Sequence, residues 1–264
     1  MTHTSRLETL KAICIEAGQL AQHYFENQND LVIDRKGHQD FVSQADRNVE
    51  ALTRRLLTEA FPNDGIVGEE DAPQLGTSGF TWVIDPIDGT TNFINGIPAW
   101  TVVVAGVSDG KTQIGVIHDP CHSETYAAAA GDGATLNGKR IKIDDQRKLS
   151  EGTVGVGYSN RVDDKGIVRL VTALVDEGSM FLRNASGALS LAFVASGRLL
   201  GYSEEHMNAW DCLAGQLIVA EAGGIVEPQD ADAMIADGGR VVVGTPAVFD
   251  RLLEISEMAF APDA

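Results

Sequence analysis

A layered α/β fold, with α+β character in its first half, is predicted by three observations on this 264-residue sequence. The chain opens with apolar residues at helical spacing. Its middle is a block of β-branched residues broken by hairpin turns. Its last hundred residues alternate short strands with helices. A charged stretch over 141–152 divides the chain into two halves, 1–140 and 141–264, that together are long enough to bury a sizeable core.

Leu7, Leu10, Ile13, Ala17, Leu20 and Tyr24 predict an amphipathic helix over 5–25. Leu31, Val32 and Ile33 begin apolar and lead into a polar loop with Arg35, Lys36, Gly37 and Asp40. A second helix is predicted over 46–60, with Val49, Leu52, Leu56 and Ala60 inward and Pro62 beyond its end. Ile66-Val67-Gly68 makes a short strand before Glu69, Glu70 and Asp71, and 72–79 is a loop. Trp82-Val83-Ile84 is a buried strand ending at Asp85. Pro86 fixes its own φ and keeps Asp85 out of the helical region, so a sharp turn there lets Asp85 and Asp88 face one side. Gly89, Thr90 and Thr91 then start a helix.

Strands over 101–107, 112–118 and 124–129 form an antiparallel sheet, with turn signals at Ser108-Asp109-Gly110-Lys111 and Asn137-Gly138. In the second half, strands are predicted near 153–157, 179–183, 198–203 and 241–243. Helices are predicted near 164–176, 187–196, 211–222 and 246–258, with Gly197 and Gly223-Gly224 at C-terminal caps.

Lys and Arg total 20 against 38 Asp and Glu, a net charge of −18. Such a surface repels nucleic acid and anionic lipid, so neither is an expected partner. Cys14, Cys121 and Cys212 lack paired spacing, which predicts reduced thiols and a cytoplasmic chain. There is no apolar signal core, and no stretch approaches the ~20 apolar residues of a membrane span.

The chemistry concentrates in three acidic clusters: Glu69 with Glu70, Asp85 with Asp88, and Asp211 after Trp210. Each stands at a strand end or helix start. Taken singly they are a solvated surface pair, a polar turn and a helix cap. Taken together they are five carboxylates. Two carboxylates ~4 Å apart repel by about 4 kcal/mol at an effective dielectric near 20, so a converging set needs cations to stay ionised. Oxygen ligands favour Mg²⁺ or Mn²⁺ over zinc. The helix start at Gly89 and Thr90 offers amides to a phosphate. His118, Cys121 and His122 have the look of a zinc fragment but no fourth ligand nearby, and His3, His23, His38 and His206 read as surface residues.

Gly68-Glu69-Glu70, the run Asp85-Pro86-Ile87-Asp88-Gly89-Thr90-Thr91-Asn92-Phe93, Trp210-Asp211 and Glu221-Ala222-Gly223-Gly224 resemble the signatures of the inositol monophosphatase family. The likeness extends over nearly the whole chain. It implies the αβαβα sandwich of the sugar phosphatases and a Mg²⁺-dependent, lithium-sensitive phosphomonoesterase. It also implies roles. Glu69, Asp85 and the Ile87 carbonyl match ligands of a first ion, and Asp85, Asp88 and Asp211 match those of a second. Glu69 also faces a weaker third ion through water. Glu70 and Thr90 match the groups that orient the attacking water, and Asp46 the partner of that threonine. The Gly89 and Thr90 amides match the phosphate cradle. Hydrolysis then uses water activated on the ions, with no phosphoenzyme.

On the substrate side, Asp88, Asp211 and Glu204 match groups that meet a polyhydroxylated ring. Gly187 stands where the family often has Ala, and the missing methyl suggests a wider pocket. Asn208 replaces a commoner His. The first half would carry most metal ligands, and the second Asp211 and the substrate contacts, in one compact catalytic unit. Inositol 1-phosphate is the leading substrate. Histidinol phosphate, fructose 1,6-bisphosphate and 3′-phosphoadenosine 5′-phosphate are alternatives. A non-catalytic regulator is a competing reading, since some bacterial relatives bind transcription machinery. So is a structural cation site without turnover. The family is commonly homodimeric, and Met180, Phe181, Leu182 and Arg183 match the segment near its dimer contact.

Overall fold

The computed structural model describes residues 3–28, 33–37, 40–143, 146–159 and 161–262, with the backbone alone described for 33–37 and 40–42. In chain order the first half contains α1 (His3–Glu26), β1 (Ile33–Gly37), β2 (Asp40–Ser43), α2 (Gln44–Ala60), β3 (Gly65–Gly68), β4 (Thr81–Asp88), α3 (Thr90–Ile94), β5 (Thr101–Ser108), β6 (Lys111–Asp119), β7 (Glu124–Ala129), β8 (Gly133–Leu136) and β9 (Lys139–Arg140). The second half contains β10 (Thr153–Val156), α4 (Asp164–Asp176), β11 (Met180–Leu182), α5 (Gly187–Ala195), β12 (Gly201–Met207), α6 (Ala209–Glu221), β13 (Ile225–Val226), α7 (Ala231–Asp237), β14 (Gly239–Gly244) and α8 (Phe249–Ala259).

The strands from β3 to β9 form a seven-stranded sheet in sequence order. It is antiparallel except for the parallel pair β3–β4. The later strands form a five-stranded sheet in the order β11-β10-β12-β14-β13, in which β10 runs parallel to both β11 and β12. Period-two alternation sends successive side chains to opposite faces, and this sorts the core into layers. Trp82, Ile84, Val104 and Val116 pack with Leu10, Ile13 and Leu57 under α1 and α2. Val83, Val103, Ala105 and Ile117 face the other way, against Leu191, Ala192, Cys212 and Ala214 of α5 and α6. Val241 and Val243 close that middle layer from the second sheet. Val154, Val156 and Val242 pack outward on Leu170, Leu174 and Leu252 of α4 and α8. The order is therefore helices, sheet, helices, sheet, helices: the expected αβαβα sandwich.

The turn residues act as their sequence predicts. Asp109-Gly110 and Asn137-Gly138 all take positive φ, as two-residue hairpin turns require. Three expectations are corrected. The polar segment after Ile33 is a two-stranded antiparallel ladder, β1 with β2, rather than a loop. The side chains of Arg35, Lys36 and Asp40, and all of His38, lie outside the described residues. The short elements β8, β9, β13 and α7 lie outside the predicted elements, because two to seven residues carry too little periodicity to register. And β4 does not stop at Asp85; it runs on to Asp88. Among the described residues, no helix is long and apolar enough to cross a membrane.

Candidate active site

The irregular end of β4 builds the site. Asp85 pairs with Val103 and Asp88 with Thr101, so β4 advances three residues while β5 advances two: a bulge. Without it Asp88 would share the face of Trp82 and Ile84, toward α1 and α2. With it, Ile87 plugs the cluster of Ala17, Ala45, Val49 and Phe93, and Asp88 turns to the α5 side like Asp85. The Asp85 carboxylate also accepts from the Ile87 amide at 2.9 Å, which stiffens the bulge. The expected convergence of the two carboxylates is thus produced by an extra residue within a strand, not by a turn that ends one.

Asp211 arrives from the other half. It is the third residue of α6, and its carboxylate accepts from the Asn208 amide at 3.3 Å. Ligand atoms of Asp85, Asp88 and Asp211 lie within 4.8 Å of one another. Glu69 follows β3, whose Gly68 pairs with Ile84, and its own amide donates to the Ile84 carbonyl at 3.3 Å.

These groups are buried, and burial dominates their titration. Asp85 is raised well above the usual carboxylate range by burial first and then by the charges of Glu69, Asp211 and Asp88. Burial and the Asp211 charge push Asp88 up to about 7. Asp211 is also raised by burial, and its carboxylate lies within 4.8 Å of that of Asp85. Hard oxygen donors that cannot all ionise side by side are the donor set a divalent cation fits.

Asp88 is the most tightly held of the three. The Ser186 hydroxyl donates to it at 2.5 Å, the Ala188 amide at 2.9 Å and the Gly187 amide at 3.2 Å. The first amides of α5 thus point at the carboxylate, a favourable arrangement at the positive end of a helix. Thr90 lies at the floor, its hydroxyl 3.1 Å from both Asp46 and the Ile87 carbonyl, with one proton to give. Asp46 is itself buried, which raises it, and it also accepts from Ser43 at the start of α2. Gly89 sits at φ +98, and a side chain there would meet the Ala99 carbonyl at 2.9 Å.

A cleft of about 500 Å³ opens over these groups. Glu69, Asp88, Gly89, Thr90, Gly187, Glu204 and Asp211 line it; Asp85, Ile87 and Asp46 lie beneath, and Glu70 does not line it. Two expectations change. The space a methyl on Gly187 would fill is taken by Met207, whose Cε stands 2.5 Å from that position, so the glycine does not widen the cleft. Burial also alters the titration of Glu204, which the sequence presents as an ordinary acid. It is 8% exposed, accepts from the Tyr202 hydroxyl at 2.5 Å, and burial pushes it up to about 8.

Sequence reasoning missed Ser186, Tyr202, His206, Arg161 and Arg183, all on the cleft. His206 is half-buried rather than a surface residue, with a buried Nδ1 that finds no protein partner. A signal for the arginines exists in the topology. Loops that leave the carboxyl ends of parallel strands converge, and Arg161 and Arg183 follow β10 and β11 in that way. His118, His122 and Cys121 turn to separate partners: Thr125, Asp119 and Gln22.

Comparison with known proteins agrees with this fold. A protein of Mesorhizobium japonicum named inositol-1-monophosphatase is 34% identical over 257 residues, covering 96% of this chain and 97% of that one. The Nus factor SuhB of Escherichia coli K12 is 35% identical over 241 residues, 90% of each chain. The crystal structure of the extragenic suppressor protein suhB from Bartonella henselae superposes with a TM-score of 0.89 at 30% identity, over 98% of this chain and 100% of that one. The inositol monophosphatase of Anabaena superposes with a TM-score of 0.83 at 30% identity, over 97% and 96%. The model of the inositol monophosphatase family matches residues 3–258, and with a bulged strand that carries its acidic signature and the layered fold around it, the chain belongs to that family.

Proposed function

We propose that the protein hydrolyses the phosphate monoester of a small sugar or cyclitol, with inositol 1-phosphate as the leading substrate. The observation that carries this reading is the meeting of Asp85, Asp88 and Asp211, from two halves of the chain, in a cleft sized for one small ligand. Asp85, Asp88, Asp211, Glu69 and the Ile87 carbonyl would hold two or three Mg²⁺ ions, with Mn²⁺ as a substitute. Bound there, such ions neutralise the ester's charge and acidify a water. The protein's own groups do the rest. Thr90, backed by Asp46, orients the attacking water, and Glu70 assists as the family resemblance implies. Gly89 and Thr90 meet the phosphate. Glu204, Asp88, Asp211 and the Gly187–Met207 wall meet the leaving alcohol.

In this reading residues 1–140 supply Glu69, Asp85 and Asp88, and residues 141–264 supply Asp211 and the substrate contacts, as one catalytic unit. Lithium sensitivity, a cytoplasmic location and a homodimer through the segment Met180–Leu182 and Arg183 complete it. A regulatory role is the second reading, favoured by the similarity to proteins named Nus factor SuhB. The intact carboxylate set supports catalysis whether or not such a role exists. Phosphate release from inositol 1-phosphate, histidinol phosphate, fructose 1,6-bisphosphate and 3′-phosphoadenosine 5′-phosphate, each with Mg²⁺ and with chelator, tests the proposal. Mg²⁺-dependent release with inositol 1-phosphate foremost is expected. No release from any ester would overturn it.

A further inference from the structure

Glu50, on α2, is a buried carboxylate outside the acidic cluster, with its side chain fully enclosed. It accepts from the Glu70 amide at 2.9 Å and the Asp71 amide at 3.0 Å. One helical turn on, Arg54 donates its Nε to the same carboxylate at 2.7 Å. The Arg54 guanidinium continues to the Asp71 carbonyl at 2.8 Å and the Ala72 carbonyl at 3.3 Å. Two side chains on one face of α2 therefore grip consecutive peptide units just after Glu69. On the other side, the Glu69 amide is tied to β4 through Ile84. The approach is close enough to exclude a side chain at position 68: a methyl on Gly68 would lie 2.3 Å from Glu50 Oε1.

A buried charge must find compensation, and Glu50 finds it in one guanidinium and two amides. A carboxylate placed there adds negative charge behind an already acidic cluster. An apolar side chain would fill the space without that penalty. What the carboxylate provides is a fixed backbone from 68 to 72, and that backbone carries Glu69 and Glu70.

We propose that Glu50 is a positioning residue: with Arg54 it latches the loop that presents Glu69, and so sets the affinity of the cleft for a divalent cation. The inference rests on the metal reading given above. Glu50 touches neither the cleft nor substrate, and it acts through the peptide groups it holds. Glu50→Gln keeps the volume but replaces one of the two acceptor oxygens with a donor. Gly68→Ala keeps the carboxylate but displaces it from the loop.

Calorimetric titration with Mn²⁺, in the absence of substrate, reads the latch directly, and thermal unfolding of the chelated proteins reads the fold. The affinity of both variants for Mn²⁺ should fall by roughly 10- to 100-fold, the usual effect of losing a group that orients a ligand. The double variant should lose little more than either single one, because both break the same contact. Rates measured at saturating Mg²⁺ should recover toward the unsubstituted protein. Unchanged Mn²⁺ affinity in folded variants would overturn the latch. So would additive losses, or loss of the fold in both. A parent protein that takes up no Mn²⁺ would overturn the metal reading itself, and the latch with it.

Discussion

The hydroxyl of Ser186 donates to the Asp88 carboxylate at 2.5 Å, joining the end of β4 to the start of α5 across 98 residues of sequence. Ser186 also caps α5, accepting from the Leu189 amide at 3.3 Å. One side chain thus sets both a helix start and the orientation of a proposed metal ligand. Ser186→Ala should raise the Mg²⁺ concentration for half-maximal rate roughly tenfold. Loss of the cap costs about 1 kcal/mol, which should lower the unfolding midpoint by about 2–4 °C. A midpoint that falls while the Mg²⁺ requirement stays fixed would limit Ser186 to capping.

The raised carboxyl groups predict how stability depends on pH in the metal-free protein. Asp88 is pushed up to about 7 and Glu204 to about 8, while their unfolded values are the ordinary ones near 4. Groups whose folded values are raised contribute stability that is complete below about pH 4. It is lost as pH rises through about 7 and about 8. The unfolding midpoint in chelator should therefore fall between pH 5 and about pH 8.5 and then level off. Mg²⁺ should flatten the fall, because it stabilises the ionised forms. A midpoint that rises over this window would contradict the burial of these acids.

Glu204 gives a second pH signature, in catalysis. The protonated acid resembles glutamine, and the ionised acid does not. Glu204→Gln should therefore cost little in kcat/KM for inositol 1-phosphate on the acid side and progressively more as pH rises toward 9. The loss should reach roughly 10- to 150-fold, the range for a hydrogen bond to a charged group. The change should set in at or below about pH 8, because cations on Asp88 and Asp211 remove part of the upward push. p-Nitrophenyl phosphate has no ring hydroxyls and should be nearly indifferent. Equal losses on both esters would assign Glu204 to support of the metal groups.

Met180, Phe181 and Leu182 form an edge strand with exposures of 69%, 46% and 37%. An exposed apolar edge is a surface that proteins cover. The proposed homodimer covers it. Light scattering at micromolar concentration should return twice the chain mass of 28.1 kDa, and Phe181→Glu should return the single mass. A parent protein of single mass would remove the dimer.

The layered fold was legible because its signals are local. The β-branched run Thr101-Val102-Val103-Val104, the spacing from Leu7 to Tyr24 and the turn pairs at Asp109-Gly110 and Asn137-Gly138 each act within a few residues. The acidic set, Asp211 included, was legible from its motifs, since Trp210-Asp211 taken singly reads as a helix cap. What stayed hidden depends on distant parts of the chain. The bulge is defined by the register of β4 against β5. The upward shift of Glu204 comes first from its burial, against the hydrogen bond from Tyr202. The space beside Gly187 belongs to Met207, twenty residues on. Glu50 carries no motif, and its role depends on the loop at 70–71, whose amides reach it from twenty residues away.

The central claim is that Asp85, Asp88 and Asp211 hold the cations of a phosphomonoesterase. The measurement that meets it most directly is phosphate release from inositol 1-phosphate across a Mg²⁺ titration, run for the parent protein and for Asp211→Asn. The parent should release none in chelator and rise to saturation with Mg²⁺. Asp211→Asn should stay folded yet fall by about a hundredfold or more at every Mg²⁺ concentration, since charge stabilisation by the ion is worth several kcal/mol. Release by the parent without divalent cations, or parent-like release by Asp211→Asn, would contradict the account.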